Sequence, residues 1–218
     1  MKDHFIVGDV HGCLHTLQAL LKKWKPKNQQ LIFVGDIIDH GKFSPQTVEY
    51  IFDIKDKHPE TVIVRGNHEE LFQLHVNHKY DEDWLAKAGE KTFSQYLMYD
   101  RRINPDAEKF RKLPLYYETS SLLVSHAGVS ETENPFDAAN PDGVLYYRGP
   151  VKRLDKLQVF GHTPQELVHY DELTNAICID SGAYKCDKLT ALLVSKSGEI
   201  LDLFEENTHS DDIPEEEI

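Results

Sequence analysis

Five short clusters along this 218-residue chain carry groups able to hold metal ions and move protons. Gly8-Asp9-Val10-His11-Gly12 sets a carboxylate and an imidazole two residues apart, between glycines that permit a tight turn, which suits two ligands of one ion. Gly35-Asp36-Ile37-Ile38-Asp39-His40-Gly41 adds two carboxylates. Asp36 directly follows an apolar run and could bridge two cations with its two oxygens, while Asp39, three residues on, stands where it could orient a histidine from behind. Arg65-Gly66-Asn67-His68-Glu69 is the most specific cluster, because an amide ligand is unusual and its neighbour cannot easily enter the same coordination site. Asn67 can ligate through its carbonyl oxygen, leaving His68, hydrogen-bonded to Asp39, to protonate a departing alkoxide. Ser125-His126-Ala127-Gly128 and Phe160-Gly161-His162-Thr163-Pro164 each supply a further imidazole. Any one of these is a commonplace turn; five together call for one cause.

The intervening sequence reads as the frame that would gather them. His4 to Val7, Leu31 to Val34 and Thr61 to Val64 are short apolar runs, each ending in a cluster. Leu14, Leu17, Leu20 and Leu21 repeat at helical spacing after the first, and a second helix is expected from Pro45 to about Lys57. This βαβαβ order predicts neighbouring parallel strands with their polar clusters along one carboxyl edge, where open α/β sheets place ligands. From about Glu69 to Lys112 the chain is helical and rather polar, with Trp84, Leu85, Phe93, Tyr96 and Leu97 as its apolar contacts. Short strands follow at Leu115 to Glu118, Leu122 to Ser125, Val159 to Gly161, Ala176 to Ile179, Leu189 to Val194 and Glu199 to Phe204, which implies a second sheet packed on the first.

Composition limits the classes of partner. The formal charge is −13, and the last fourteen residues hold seven carboxylates and no Lys or Arg. An acidic surface argues against broad binding to nucleic acid or anionic membranes, which depends on basic side chains. We expect one catalytic domain over residues 1–204 and a solvated acidic tail over 205–218. No apolar run approaches the roughly 18 residues of a membrane helix, and the N-terminal residues lack an apolar leader. Cys13, Cys178 and Cys186 form no paired framework, so a reducing cytoplasm fits. His15 is expected on an exposed helix face.

At these motifs the chain resembles the calcineurin-like metallophosphoesterases, and among them the bacterial and phage phosphoprotein phosphatases. GDVHG, GDIID, RGNHE, SHAG and FGHTP carry the resemblance, with Leu113-Pro114-Leu115, Ile179-Asp180-Ser181-Gly182-Ala183 and Lys188-Leu189-Thr190 beside them. It implies the α/β metallo-dependent phosphatase fold, a central β-sandwich flanked by helices. It also implies two divalent ions, one on Asp9, His11 and Asp36 and the other on Asp36, Asn67, His126 and His162. His68 matches the family's general acid, Asp39 its partner, and Arg65 and Arg148 its phosphate-binding arginines. Where relatives carry Arg in the second motif this chain has His40, which offers a phosphate at most two donors and is charged only at lower pH. Mn²⁺ is the expected ion, with Fe or Zn²⁺ as alternatives. The expected reaction is hydrolysis of phosphomonoesters, with phosphorylated Ser/Thr proteins or small phosphoesters as substrates. Diadenosine tetraphosphate or another nucleotide is the alternative substrate, and a non-catalytic scaffold is the remote one.

Overall fold

The computed structural model describes residues 2–185 and 187–214, so Cys186 and the last four residues lie outside the described part. Two five-stranded sheets form its centre. The first has the order β10-β9-β1-β2-β3, with β1 at Asp3–Val7, β2 at Gln29–Phe33, β3 at Val62–Ile63, β9 at Lys188–Val194 and β10 at Ile200–Asn207. The second has the order β4-β5-β6-β8-β7, with β4 at Tyr116–Glu118, β5 at Leu122–Ser125, β6 at Leu157–Phe160, β7 at Tyr170–Asp171 and β8 at Ala176–Cys178. The expected parallel run is present, Phe5 facing Leu31 and Ile32 facing Val62. In the second sheet β5, β6 and β8 are also parallel.

Side-chain alternation along the strands divides the core. Ile6, Ile32 and Val34 point from the first sheet toward Val124, Val159, Ile177 and Ile179 of the second, all buried. Phe5, Val7, Leu31 and Phe33 point the other way, onto Leu17 and Leu20 of α1 (Leu14–Leu20) and Val48 and Ile51 of α2 (Ser44–Lys57). The inner strands are therefore apolar at successive positions, as expected where helices cover the second face.

Between the sheets in sequence lie α3 (Asn67–Val76), α4 (Glu82–Trp84), α5 (Glu90–Met98) and α6 (Ile103–Arg111). A π turn at Leu85–Gly89 joins α4 to α5 and brings the Trp84 ring onto Gly89, where a Cβ would lie 2.9 Å from it. Trp84 and Tyr96 are buried as expected and Phe93 packs against them, but Leu97 is 76% exposed. One residue beyond Tyr96, it falls on the outer face of α5.

The C-terminal expectation needs correction. The last strand runs past Phe204 to Asn207, and two of its carboxylates sit against lysines: Glu205 with Lys188 at 2.8 Å and Glu206 with Lys23 at 2.9 Å. A 3-10 turn at Ser210–Asp212 then docks on the start of α1. The fully buried Asp212 carboxylate accepts from His15 N at 3.0 Å, His15 Nδ1 at 2.8 Å, Thr16 N at 2.8 Å and Thr16 Oγ1 at 2.6 Å. It performs for α1 the duty of an N-cap, which the residue before the helix, Cys13, is a poor type to perform. Lys42 N donates to the Asp212 carbonyl at 2.9 Å. The run of carboxylates looks solvated in sequence because the partners of Glu206 and Asp212 lie nearly two hundred residues away; for the same reason His15 is held in place by Asp212 and is not a free surface imidazole.

Candidate metal centre and active site

The carboxyl ends of β1, β2, β3, β5 and β6 converge, and the five clusters meet there. Their loops are tightly wound: His11, Asp36, Asp39, His40 and His162 all have φ between 47° and 74°, a region that costs energy for a residue with a Cβ. Neighbouring loops approach so closely that two glycines are required. A Cβ on Gly161 would lie 1.9 Å from Asp9 Oδ1, and one on Gly66 would lie 2.1 Å from Asp36 Oδ1. Glu69, fully buried, ties the second and third loops together: Oε2 accepts from Asp36 N at 2.8 Å and Gly66 N at 2.9 Å, and Oε1 accepts from Ile37 N at 2.9 Å.

Asp9, His11, Asp36, Asn67, His126 and His162 are all buried at this junction. Ligand atoms of Asp9, His11 and Asp36 lie within 4.8 Å of one another, as do those of Asp36, His126 and His162, so Asp36 belongs to both groups. Each histidine has one ring nitrogen occupied by a backbone carbonyl: His11 Nδ1 by Ile38 O at 2.9 Å, His126 Nδ1 by Val34 O at 3.1 Å, and His162 Nε2 by Tyr146 O at 3.2 Å. The other nitrogen of each faces the junction, the arrangement by which proteins orient imidazole ligands.

Two observations test whether a cation fits. With their other nitrogens donating to carbonyls, His126 Nε2 and His162 Nδ1 present lone pairs 3.1 Å apart, and Asn67 Oδ1 presents another 2.9 Å from His126 Nε2. In the neutral tautomers that the two carbonyls favour, three acceptors thus converge, with Asp36 Oδ2 another 3.3 Å from His126 Nε2, a donor set that a cation satisfies. Asp9 Oδ2 accepts from His162 N at 2.9 Å, but its buried Oδ1 has no hydrogen-bond partner. Burial, with Asp180 and Asp36 close by, pushes the Asp9 carboxyl well above its ordinary range. Burial likewise holds His11 and His162 down to about 3 and His40 down to about 4, leaving neutral imidazoles. Mixed carboxylate, imidazole and amide donors suit Mn²⁺, Fe or Zn²⁺.

Beside the junction, His68 Nδ1 donates to Asp39 Oδ2 at 2.6 Å, and its Nε2 lies 3.9 Å from Asp36 Oδ2. Burial would lower the His68 pKa, but Asp36 and Asp39 outweigh it and raise the imidazole to about 9. Fully buried Asp39 also accepts from Trp84 Nε1 at 2.7 Å and from Thr92 Oγ1. Burial would raise its carboxyl, yet these bonds and His68 hold it below the ordinary range. His40 stacks on Tyr184 with centroids 4.3 Å apart.

The two arginines expected at the phosphate are engaged differently. Arg65 Nη1 donates to Glu70 at 2.7 Å and Nη2 to Leu113 O at 3.2 Å, so two of its five N–H groups are engaged within the protein, while its buried Nε has no partner. Exposed Arg148 donates through Nη1 to His162 O at 3.0 Å and to Thr163 Oγ1 at 3.3 Å, at the rim of the junction. Sequence reasoning missed Glu69, Thr92, Asp180 and Tyr184, and took Trp84 only as an apolar contact. Glu69 belonged to a recognised cluster and could have been found there, whereas Thr92 reaches Asp39 only through the path of α5.

Comparison with known proteins places these features in context. The model of the calcineurin-like phosphoesterase family matches residues 5–191. A bis(5'-nucleosyl)-tetraphosphatase PrpE [asymmetrical] of Anoxybacillus flavithermus is 28% identical over 222 residues, covering 86% of this chain and 88% of that protein. The Bacillus thuringiensis protein of the same name is 29% identical with the same coverage. The cold-active protein-tyrosine phosphatase of a psychrophilic Shewanella has the same fold, with a TM-score of 0.66 over 96% of this chain and 81% of that one at 17% identity.

Proposed function

The chain belongs to the calcineurin-like phosphoesterase family, metal-dependent hydrolases of phosphoric esters, and from that premise we propose that it hydrolyses a phosphate linkage in a bis(5'-nucleosyl) polyphosphate. The observation that carries the chemistry is the convergence of Asp9, His11, Asp36, Asn67, His126 and His162 at one sheet edge, with Asp36 common to two ligand groups. The substrate follows the curated relatives, which match along 86% of this chain and are themselves bis(5'-nucleosyl)-tetraphosphatases. That reverses the order of substrates expected from sequence motifs.

In this reading Asp9, His11 and Asp36 hold one divalent ion, and Asp36, Asn67, His126 and His162 the second. Ions bound there supply Lewis-acid polarisation of the phosphoryl oxygens and lower the pKa of water toward neutrality. His68, kept protonated by Asp36 and Asp39, donates its Nε2 proton to the leaving oxygen. Asp39 acts through His68, fixing the ring with Nε2 forward, and is itself fixed by Trp84 and Thr92. Arg148 uses its remaining N–H groups for a phosphate at the rim. Arg65 contributes by holding Glu70 and the Leu113 carbonyl. His40 can offer the phosphate one neutral N–H.

A second reading has its own support. A histidine raised to about 9 serves a poor leaving group such as a seryl alkoxide better than a nucleotide. Side-by-side turnover of diadenosine tetraphosphate, a phosphoserine peptide and p-nitrophenyl phosphate by Mn²⁺-loaded protein decides between them. The expected outcome is preferred cleavage of the dinucleotide into a mono- and a triphosphate. Efficient turnover of the phosphopeptide alone would refute the nucleotide assignment, and no turnover of any would refute the hydrolase.

A further inference from the structure

The loop after β2 places a third imidazole where the sequence resemblance implies an arginine. His11, His40 and His68 have ring centroids 4.8, 4.9 and 5.1 Å apart, pairwise, and one nitrogen of each lies within 4.8 Å of the others. The Nδ1 atoms of His11 and His68 are taken by Ile38 O and Asp39 Oδ2, so it is their Nε2 atoms that face one another. Asp36 Oδ2 lies behind them, 3.6 Å from His11 Nε2 and 3.9 Å from His68 Nε2. Tyr184 packs on both His11 and His40, with centroids 4.8 and 4.3 Å away. The loop itself is fixed, since Gly41 N donates to His11 O at 2.9 Å and Lys42 N to Asp212 O at 2.9 Å.

Three imidazoles with an adjacent carboxylate are a donor set for a four-coordinate, nitrogen-preferring ion. Such ligands favour Zn²⁺ and Co²⁺ over Mn²⁺. We propose that His11, His40 and His68 form an inhibitory metal site that captures one Zn²⁺ or Co²⁺ ion. The ion displaces the Nε2 proton of His68 to solvent and borrows His11 from the neighbouring ligand group. The captured state therefore has neither its general acid nor a complete first ligand set. An arginine at position 40 could not complete such a site. The inhibition rests on the reading of His68 as general acid; the capture does not.

The test uses Mn²⁺-loaded full-length protein titrated with Co²⁺, whose visible d–d bands are intense only in four-coordinate sites. Wild type is expected to develop these bands as turnover of p-nitrophenyl phosphate falls. His40→Asn, which suits φ 62°, is expected to weaken Co²⁺ capture by at least about 100-fold, because even losing a group that merely orients a ligand costs about 10–100-fold. His40→Cys restores a metal ligand and is expected to retain both bands and inhibition. If His40→Asn gives wild-type bands at wild-type Co²⁺ concentrations, or loses Mn²⁺ as badly as Co²⁺, the proposal is overturned. Spectra decide capture even if the protein turns over no phosphoester, which separates this failure from failure of the functional reading.

Discussion

Replacing Asp212 with Ala tests whether the C-terminal turn fastens the first active-site loop. The carboxylate is fully buried and satisfies two backbone N–H groups at the start of α1, the His15 ring and the Thr16 hydroxyl. Loss of an N-cap costs about 0.5–2 kcal/mol, and each buried donor left unsatisfied costs about 1–3 kcal/mol. Water can reach half-exposed His15, so the terms do not add in full. We expect a loss of about 3 kcal/mol, which for a domain of this size lowers Tm by about 6–12 °C. Urea denaturation should show a lower midpoint at unchanged slope. Asp212→Asn, which keeps one acceptor oxygen, should lose about half as much. A loss below about 0.5 kcal/mol in Asp212→Ala would mean that α1 is held by its apolar face alone and that the carboxylate is incidental.

Three further outcomes follow from the site. Asp9→Asn removes a buried carboxylate crowded by Asp180 and Asp36, so in chelator it should melt a few degrees above wild type, while the stabilisation wild type gains from Mn²⁺ disappears; a lower Tm in chelator would contradict this. Gly161→Ala drives a methyl group to within 1.9 Å of Asp9 Oδ1 and should reduce calorimetric Mn²⁺ binding from two ions to one, with unchanged binding contradicting the close approach. His4 is buried at the start of β1, and burial lowers its pKa. The unfolded chain therefore takes up that proton first, near pH 6.5, and stability present above that pH falls as the medium is acidified below it. His4→Gln should show a smaller drop in Tm between about pH 7 and pH 5 than wild type; an equal drop would assign the acid sensitivity elsewhere.

The elements most legible in the sequence were those with strong local signals. β1 and β2 end in glycine-bounded polar loops, and α2 begins one residue before Pro45, so period and turn chemistry located them closely. The six proposed ligands were legible because each follows an apolar run, and parallel connections force such ends together. β7, only Tyr170–Asp171, was invisible: two residues carry no alternation, and the strand exists because β8 offers it an edge. The engagement of Arg65 by Glu70 was equally hidden, since nothing in a sequence says whether a guanidinium five residues from a carboxylate turns toward it or toward a substrate. Asp212 lay beyond reach because its partners belong to the first helix.

The strand order also sets a timetable. A growing chain that has reached residue 162 already contains every proposed ligand, yet β1 then has a neighbour on one side only, because β9 comes later and pairs Val7 with Ala191. Gly8 N, which begins the loop carrying Asp9 and His11, finds its acceptor only when Thr190 arrives, at 2.9 Å. Until then the loop is held by its bonds to the β2 loop, Val10 N and His11 N to Asp36 O, but not from the β9 side, and the edge of β1 is open to mispairing. During synthesis the loop carrying Asp9 and His11 therefore receives its last strand-end hydrogen bond, and β1 its second neighbour, only once β9 has emerged.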